Sequence, residues 1–388
     1  MNSRIKSIDI TRGLVMVIMA LDHVREFWHK TSMTVSPTDL EKTTTALFFT
    51  RWITHLCAPS FVFLAGASAY LSFRKYGDIS FSRRFLLTRG IWLVMLEFTL
   101  INFALWFDIH FRLVILEVIA AIGFSFIILS FLLKLKPAVI GTIGLIIIFS
   151  HNLLQSVPIP DGKFLSIIFS SLFRPGMTEL TGGHAFFSAY PVIPWTGIML
   201  TGFGCGIFLD KQSKDRRKSF LIAGLAALAV FLIFRFINLY GDPAPWSVQK
   251  NQWFTFLSFI NVTKYPPSML FSLLFTGFAC LFIAFFENTL NKITDFLSVF
   301  GKVPFFYFVI HLCIIHALMF VMLFIQGYGL NDLVFGVFRN GRPETGGGVS
   351  LAVVYIIWAL VVAGLYPVCR WYSNYRSGHP EKWWLRYL

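Results

Sequence analysis

The sequence is poor in charge. Asp, Glu, Lys and Arg make up only 13% of its 388 residues, about half of what an average soluble domain carries, which excludes an ordinary solvated surface. Soluble-enzyme signatures are missing too: there is no Walker phosphate loop, no GxSxG nucleophile elbow and no HExxH zinc helix. The five cysteines, Cys57, Cys205, Cys280, Cys313 and Cys369, stand singly in or beside apolar runs. Such spacing builds neither a disulfide framework nor a metal site, so no metal is expected and the thiols read as packing residues. No span-length linker and no internal repeat divides the chain.

What is abundant is apolar. Hydrophobic residues reach 56%, and the mean hydropathy is +0.70. Runs long enough to cross a hydrocarbon core of roughly 30 Å recur near 7–28, 46–73, 85–107, 112–133, 138–155, 187–209, 218–240, 267–286, 303–326 and 350–372. In lipid the backbone has only itself to bond, and these runs are too long and too uniformly apolar for barrel strands. The expected fold class is all-α: a polytopic integral membrane protein of about ten transmembrane helices, one membrane domain over 1–388.

Basic residues set the orientation, because they are retained on the cytoplasmic side. Alternate connections hold nineteen Lys and Arg against nine, which places both termini in the cytoplasm. The net charge of +14 is mostly this bias, so nucleic acid is not an expected partner. The basic, apolar start is built like a secretory signal, but Asp9, Arg12, Asp22 and His23 interrupt it and no small-residue cleavage site follows. It is expected to remain as the first helix. The outer connections 156–186, 241–266 and 327–349 are rich in Gly, Pro and aromatics; they read as a lid over an outward-facing cavity, or as sites where insertion is tolerated.

Ionisable groups inside such spans are costly and usually face a bundle interior or a water path, which makes each a candidate. Asp9 and Arg12 lie near the cytoplasmic end of the first span, and Asp22, His23 and Arg25 in its outer third. Arg51 and His55 fall in the second span, Glu97 and Glu117 in the third and fourth, Arg235 in the seventh, and His311 and His316 in the ninth. At about 100° per residue, the eleven steps from Arg12 to His23 return to nearly one face, about 16 Å further along. Asp22 points about 100° away from His23 and pairs more readily with Arg25 at i+3. A group that orients the His23 imidazole must therefore come from another helix. Arg51 and His55 share a face at a comparable depth, so His23 and His55 meet if the first two spans pack side by side. Pro59 leaves the His55 carbonyl without its helical donor. Either histidine can instead simply bond a neighbouring helix.

"NVTKYPPSMLF" (261–271) opens the eighth span. Its Lys264, Tyr265 and Ser268 make a cationic helix start suited to a polar or anionic group, or a plain cap with a snorkelling lysine. In "YPVIPWTGIMLTGFGCG" (190–206), Pro194 and Trp195 imply a kink, the glycines allow close helix approach, and Trp195 offers a face to a sugar ring. In "FGKVPFF" (300–306), Gly301, Lys302 and Pro304 read as a basic helix start for phosphates, or as positive-inside decoration. His311 and His316 lie about 140° apart around a helix, so at most one faces any given cavity.

"RIKSIDITRGLVMVIMALDH", "RWITHLCAPSFVFLAG", "YPVIPWTGIML", "TKYPPSMLF", "FGKVPFFYFVIHLCIIHALM" and the tail "YPVCRWYSNYR...WWLRYL" together resemble the bacterial branch of the heparan-alpha-glucosaminide N-acetyltransferase catalytic-domain family. The likeness runs over essentially the whole chain. It implies acetyl transfer from cytoplasmic acetyl-CoA to a sugar or amino-sugar acceptor on the outer, periplasmic side. Asp9, Arg12 and Gly13 in "DITRG" match the family's opening motif. His23 falls where the lysosomal member has an amide side chain, and that member's presumed catalytic histidine follows the helix, where His29 is nearest here. The lysosomal member's lumenal domain and preceding helix have no counterpart, which favours a bacterial inner membrane.

On this reading Arg12, Asp9, Arg89 and Lys302 hold the CoA end of the donor. His23, with Asp22, Arg51 or His55, acts as general base or passes through an acetyl-histidine. Lys264, Tyr265, Trp195, His311 and Ser268 hold the acceptor. The rival readings are a transporter with an intramembrane His/Asp/Arg proton relay and a noncatalytic membrane subunit. The lipid bilayer is an expected partner, and a homodimer stays open.

Overall fold

A computed structural model describes residues 5–32, 34–379, 381–382 and 385. Arg4 and Arg386, counted above among the cytoplasmic cations, lie outside the described residues. In chain order the elements begin α1 (Lys6–Trp28), α2 (Thr45–Thr54), α3 (Cys57–Tyr76), α4 (Ile79–Leu96), a π-helical turn (Glu97–Ile101), α5 (Asn102–Trp106), β1 (Leu113–Leu116), α6 (Val118–Leu132) and α7 (Pro137–Ser150). They continue with α8 (Lys163–Leu172), β2 (Gly176–Glu179), β3 (Ala185–Ser188), α9 (Val192–Cys205), α10 (Ser213–Ile237) and α11 (Gln252–Ile260). The last are α12 (Met269–Phe286), α13 (Lys292–Lys302), α14 (Pro304–Ile325), the short strands β4 (Phe335–Gly336) and β5 (Arg339–Asn340), and α15 (Leu351–Gly378).

The all-α reading of a multi-pass membrane protein holds, and each expected span contains helix. Among the described residues, 8 helical stretches are long and apolar enough to cross a membrane. Two expected spans fall outside that set. α1 has the length but carries Lys6, Asp9, Arg12, Asp22, Arg25 and Glu26. The span expected at 112–133 begins as strand β1, and α6 has only 15 residues, about 22 Å of helix.

Local chemistry explains several boundaries that apolar content alone misplaced. The second span is broken, with His55 closing α2 before α3 begins at Cys57. Residues 187–188 belong to β3, so the sixth span starts at Val192. That puts Pro194 in the first turn of α9, where a missing amide costs nothing and no kink follows. The stretch 292–302, read as a connection, is helix α13, started by an Asn291–Thr294 capping box. Lys302 therefore ends α13 and does not start α14, whose first residue is Pro304.

The chain forms two compact units. The first takes Ala58–Thr99 and Val114–Thr289. Its helices pack through small residues: a Cβ on Gly202 of α9 would run into the Phe63 carbonyl of α3, and one on Gly204 into the backbone of Gly141 on α7. Part of the 156–186 connection is ordered as α8 and a β2–β3 hairpin, with Gly176 opposite Ser188 and Glu179 opposite Ala185. The sheet order is β1-β3-β2.

The second unit takes Ile8–Cys57, Leu100–Leu113 and the chain from Leu290 onward. Side chains tie its helices to one another's carbonyls. Trp28 Nε1 donates to Ile315 O at 3.1 Å, and Trp358 Nε1 donates to Val17 O at 2.8 Å.

Candidate functional site

In the second unit α1 meets the end of α13 backbone to backbone. A Cβ on Gly13 would run into the Leu297 carbonyl, and one on Gly301 into the Asp9 carbonyl. Glycine at both places is what permits the contact. Arg12, beside Gly13, donates from Nη1 to Gly301 O at 3.2 Å, with Asp9 Oδ1 3.6 Å from the same nitrogen. Lys302 follows Gly301. The "DITRG" and "FGK" segments, far apart in sequence, are thus brought together.

Further along, His23 of α1 meets His311 of α14. His311 is fully buried, and its Nδ1 lies 2.7 Å from the Tyr307 carbonyl. A carbonyl only accepts, so Nδ1 carries the hydrogen and the His311 lone pair is on Nε2. That Nε2 stands 2.7 Å from His23 Nδ1, which therefore donates. His23 is half-buried, and in its neutral form the lone pair is then on Nε2. Rings fix the pair in place: His311 stacks on Tyr307 with centroids 4.9 Å apart, and Phe308 sets its edge toward both imidazoles. The orienting group that helical geometry required from another helix is His311, which the sequence had placed among acceptor-binding residues.

Asp22 turns away from this pair, as the 100° step implies. Its Oδ1 accepts from Arg25 Nη2 at 3.1 Å and its Oδ2 from Arg51 Nη1. Glu26 Oε2 lies 3.9 Å from the same Arg25 Nη2, so two guanidiniums meet two carboxylates in a balanced cluster that begins one residue along the chain from His23. His55 is buried at the end of α2, four residues after Arg51.

Past α1, His29 is buried and its Nδ1 lies 3.0 Å from Thr31 Oγ1. Burial holds its imidazole below the usual histidine range, and the positive charges of Arg25, Lys30 and Arg342 push the same way. Arg342 donates from Nη1 to the His29 carbonyl at 2.9 Å and to Ser32 Oγ at 2.6 Å, and from Nη2 to Gly347 O at 2.9 Å. His316 faces away from His311, with its ring nitrogens 2.9 Å from Ala104 O and 2.8 Å from Asn340 O. Arg342 and His316 both fasten the 327–349 connection, which explains two polar residues without assigning them chemistry.

The first unit gathers the other expected residues. Lys264 lies over the rings of Tyr265 and Tyr190, and Tyr190 packs on Trp195 with centroids 4.8 Å apart. Ser268 is committed to structure: its Oγ donates to Asp242 at 2.6 Å and caps the Phe271 amide. Asp242 also accepts from the amide and hydroxyl of Thr263. Arg235 is fully buried and donates to the carbonyls of Phe259, Ala244, Ser258 and Asn261, pinning the 241–266 connection. Arg89 is a half-buried residue of α4.

Sequence reasoning missed Tyr307, Tyr190, Asp242 and Arg342. Tyr307 carried a usable signal, since its carbonyl is the natural partner of a side chain four residues later on the same helix. Asp242 and Arg342 stand in connections, where no periodicity announces a partner.

Among the described residues, no group of three or more His, Cys, Asp or Glu is placed to hold a metal ion. No curated protein matches the chain. A family model described as heparan-alpha-glucosaminide N-acetyltransferase, catalytic, matches residues 4–236, a stretch that includes α1, α2 and the "YPVIPWTGIML" segment. That match takes in more than half of a chain whose helices are built to cross a membrane, and the protein belongs to the heparan-alpha-glucosaminide N-acetyltransferase catalytic family of membrane acetyltransferases.

Proposed function

We propose that the protein transfers an acetyl group from cytoplasmic acetyl-CoA to the amine or hydroxyl of a sugar acceptor on the opposite, periplasmic face of a bacterial inner membrane. The observation that carries this reading is the His23–His311 hydrogen bond. It supplies a histidine of fixed tautomer, with the basic nitrogen defined.

Arg12, which donates to Gly301 O, and Lys302, the residue after Gly301 at the end of α13, suit the donor's phosphates. Eleven residues of α1 separate Arg12 from His23, about 16 Å of helix, a length that a flexible arm ending in a thioester can span. At the far end, His23 Nε2 takes the proton from the acceptor as its nitrogen or oxygen attacks the thioester carbonyl. The carbon–sulfur bond then breaks, and the His23 imidazolium returns that proton to the CoA thiolate. His311 holds the ring by accepting from Nδ1 and stabilises the imidazolium through the same bond. Arg51 and Arg25, whose charges Asp22 and Glu26 balance, contribute N–H donors toward the developing tetrahedral oxyanion.

Purified protein given acetyl-CoA and a panel of amino sugars and neutral sugars is expected to release free CoA only when an acceptor is present. Absence of CoA release together with absence of acetyl-CoA binding would refute the reading.

A further inference from the structure

Two short helices of the first unit turn the usual amphipathic order inside out. In α8, Phe164 is 74% exposed and Leu165 55%, with Ile168 exposed as well. At about 100° per residue these three fall on one face of the helix, and Ser166 and Ser170 fall on the other. The serine face is the one that meets the protein. Ser166 Oγ stands 3.1 Å from Thr178 Oγ1 of β2, and the buried Ser170 accepts at its carbonyl from Ser188 Oγ of β3 at 3.0 Å. A helix on a water-washed surface buries its apolar stripe and exposes its polar side chains; α8 does the reverse.

The 241–266 connection repeats the pattern in α11. Trp253 is 47% exposed and Phe256 45%, with their ring centroids 5.4 Å apart. The hydroxyls of α11 bond instead to the connection itself: Ser247 N donates to Ser258 Oγ at 3.1 Å and Gln249 N to Thr255 Oγ1 at 2.9 Å.

Position in the chain indicates what covers these faces. α8 follows α7 and α11 follows α10, and both α7 and α10 lie in stretches long and apolar enough to cross a membrane. Tyr240, just past α10, donates to the Phe149 carbonyl near the end of α7, so the two helices end side by side. Exposed apolar residues of α7 such as Ile146 are followed along the chain by exposed Leu153, Leu154 and Val157 before Phe164 is reached. Arg174 Nη1 donates to Val157 O at 2.8 Å, tying the chain beyond α8 back to that segment. Exposed lysines flank both helices. Lys163 opens α8, and Lys250 precedes α11 with its Nζ 3.7 Å from the Phe254 ring centre. Exposed apolar and aromatic faces with lysines at their borders suit the headgroup zone of a bilayer.

We propose that α8 and α11 are membrane-surface helices: each lies along the leaflet in which α7 and α10 end, its apolar face among the upper acyl chains and its lysine among the lipid phosphates. The partner of these faces is lipid, and the two connections that carry them are anchored to the bilayer surface.

The test is photocrosslinking of the full-length protein in phosphatidylcholine vesicles, with p-benzoylphenylalanine in place of Phe164 or Phe256. Phe236, 69% exposed on α10, is the reference position. Mass spectrometry after irradiation is expected to find lipid adducts at 164 and 256 in yields comparable to that at 236. Adducts at 236 with none at 164 and 256 would mean that the two faces stand in water, and would overturn the proposal. Crosslinks from 164 and 256 to a second copy of the chain or to another protein, in place of lipid, would overturn it as well.

Discussion

His23 Nδ1 and His311 Nε2 stand 2.7 Å apart, and the Tyr307 carbonyl decides which of them donates. The bond does for His23 what a buried carboxylate does for a catalytic histidine elsewhere: it fixes the tautomer and steadies the protonated ring.

On the proposed mechanism His311 acts as a positioning residue, and glutamine should replace it better than leucine. The glutamine side chain keeps a carbonyl acceptor for His23 Nδ1, whereas leucine releases the ring to either tautomer. His311→Leu is expected to lower kcat by on the order of 100-fold and to change the pH profile of CoA release, with His311→Gln losing less on both counts. Equal losses, with an unchanged profile, would reduce His311 to a packing residue.

The Gly13–Gly301 contact leaves no room for a side chain. Gly13→Ala is expected to destabilise the protein by about 1–3 kcal/mol, and Gly301→Ala by a similar amount, read as a lower unfolding temperature in detergent. Since the contact also sets Arg12 beside Gly301, any folded fraction should bind acetyl-CoA more weakly. Wild-type stability in both variants would contradict the backbone-to-backbone packing.

Asp22 is the hub of its cluster. Asp22→Asn leaves two guanidiniums without their shared carboxylate and is expected to cost about 3–5 kcal/mol. Arg51→Met leaves the Arg25–Asp22 pair intact and should cost less. Urea or thermal unfolding of the two variants orders them, and the opposite order would disprove the arrangement.

His29 makes stability depend on pH in a defined direction. Its folded-state pKa lies below the ordinary value of 6.5 because of burial, helped by Arg25, Lys30 and Arg342. The unfolded chain therefore binds the proton more readily. Stability from the neutral ring is complete above 6.5 and is lost as pH falls from 6.5 toward the folded-state pKa. Unfolding temperatures measured across this interval should fall with acidification in wild type and fall less in His29→Asn. Identical slopes would remove His29 as the cause.

The membrane class and the positions of the helices were legible because apolar length is a one-dimensional property. Strand β1, helix α13 and the break at His55 were not, since each depends on pairing or capping partners that composition does not reveal. At the site, helical arithmetic correctly turned Asp22 toward Arg25 and demanded an orienting group for His23 from another helix. It offered His55, on the next span, and did not single out His311. His311 lies 288 residues away from His23, and only the packing of α1 on α14 could bring it forward. Lys264, Tyr265 and Trp195 were found together because each stood out in its own motif, whereas Tyr190 had no such mark.

The most direct test is single-turnover CoA release from acetyl-CoA by reconstituted protein with an amino-sugar acceptor, wild type against His23→Ala. Wild type is expected to release CoA only with acceptor present, and His23→Ala to bind acetyl-CoA normally while releasing CoA on the order of 100-fold or more slowly. A His23→Ala protein that turns over at the wild-type rate would contradict the account.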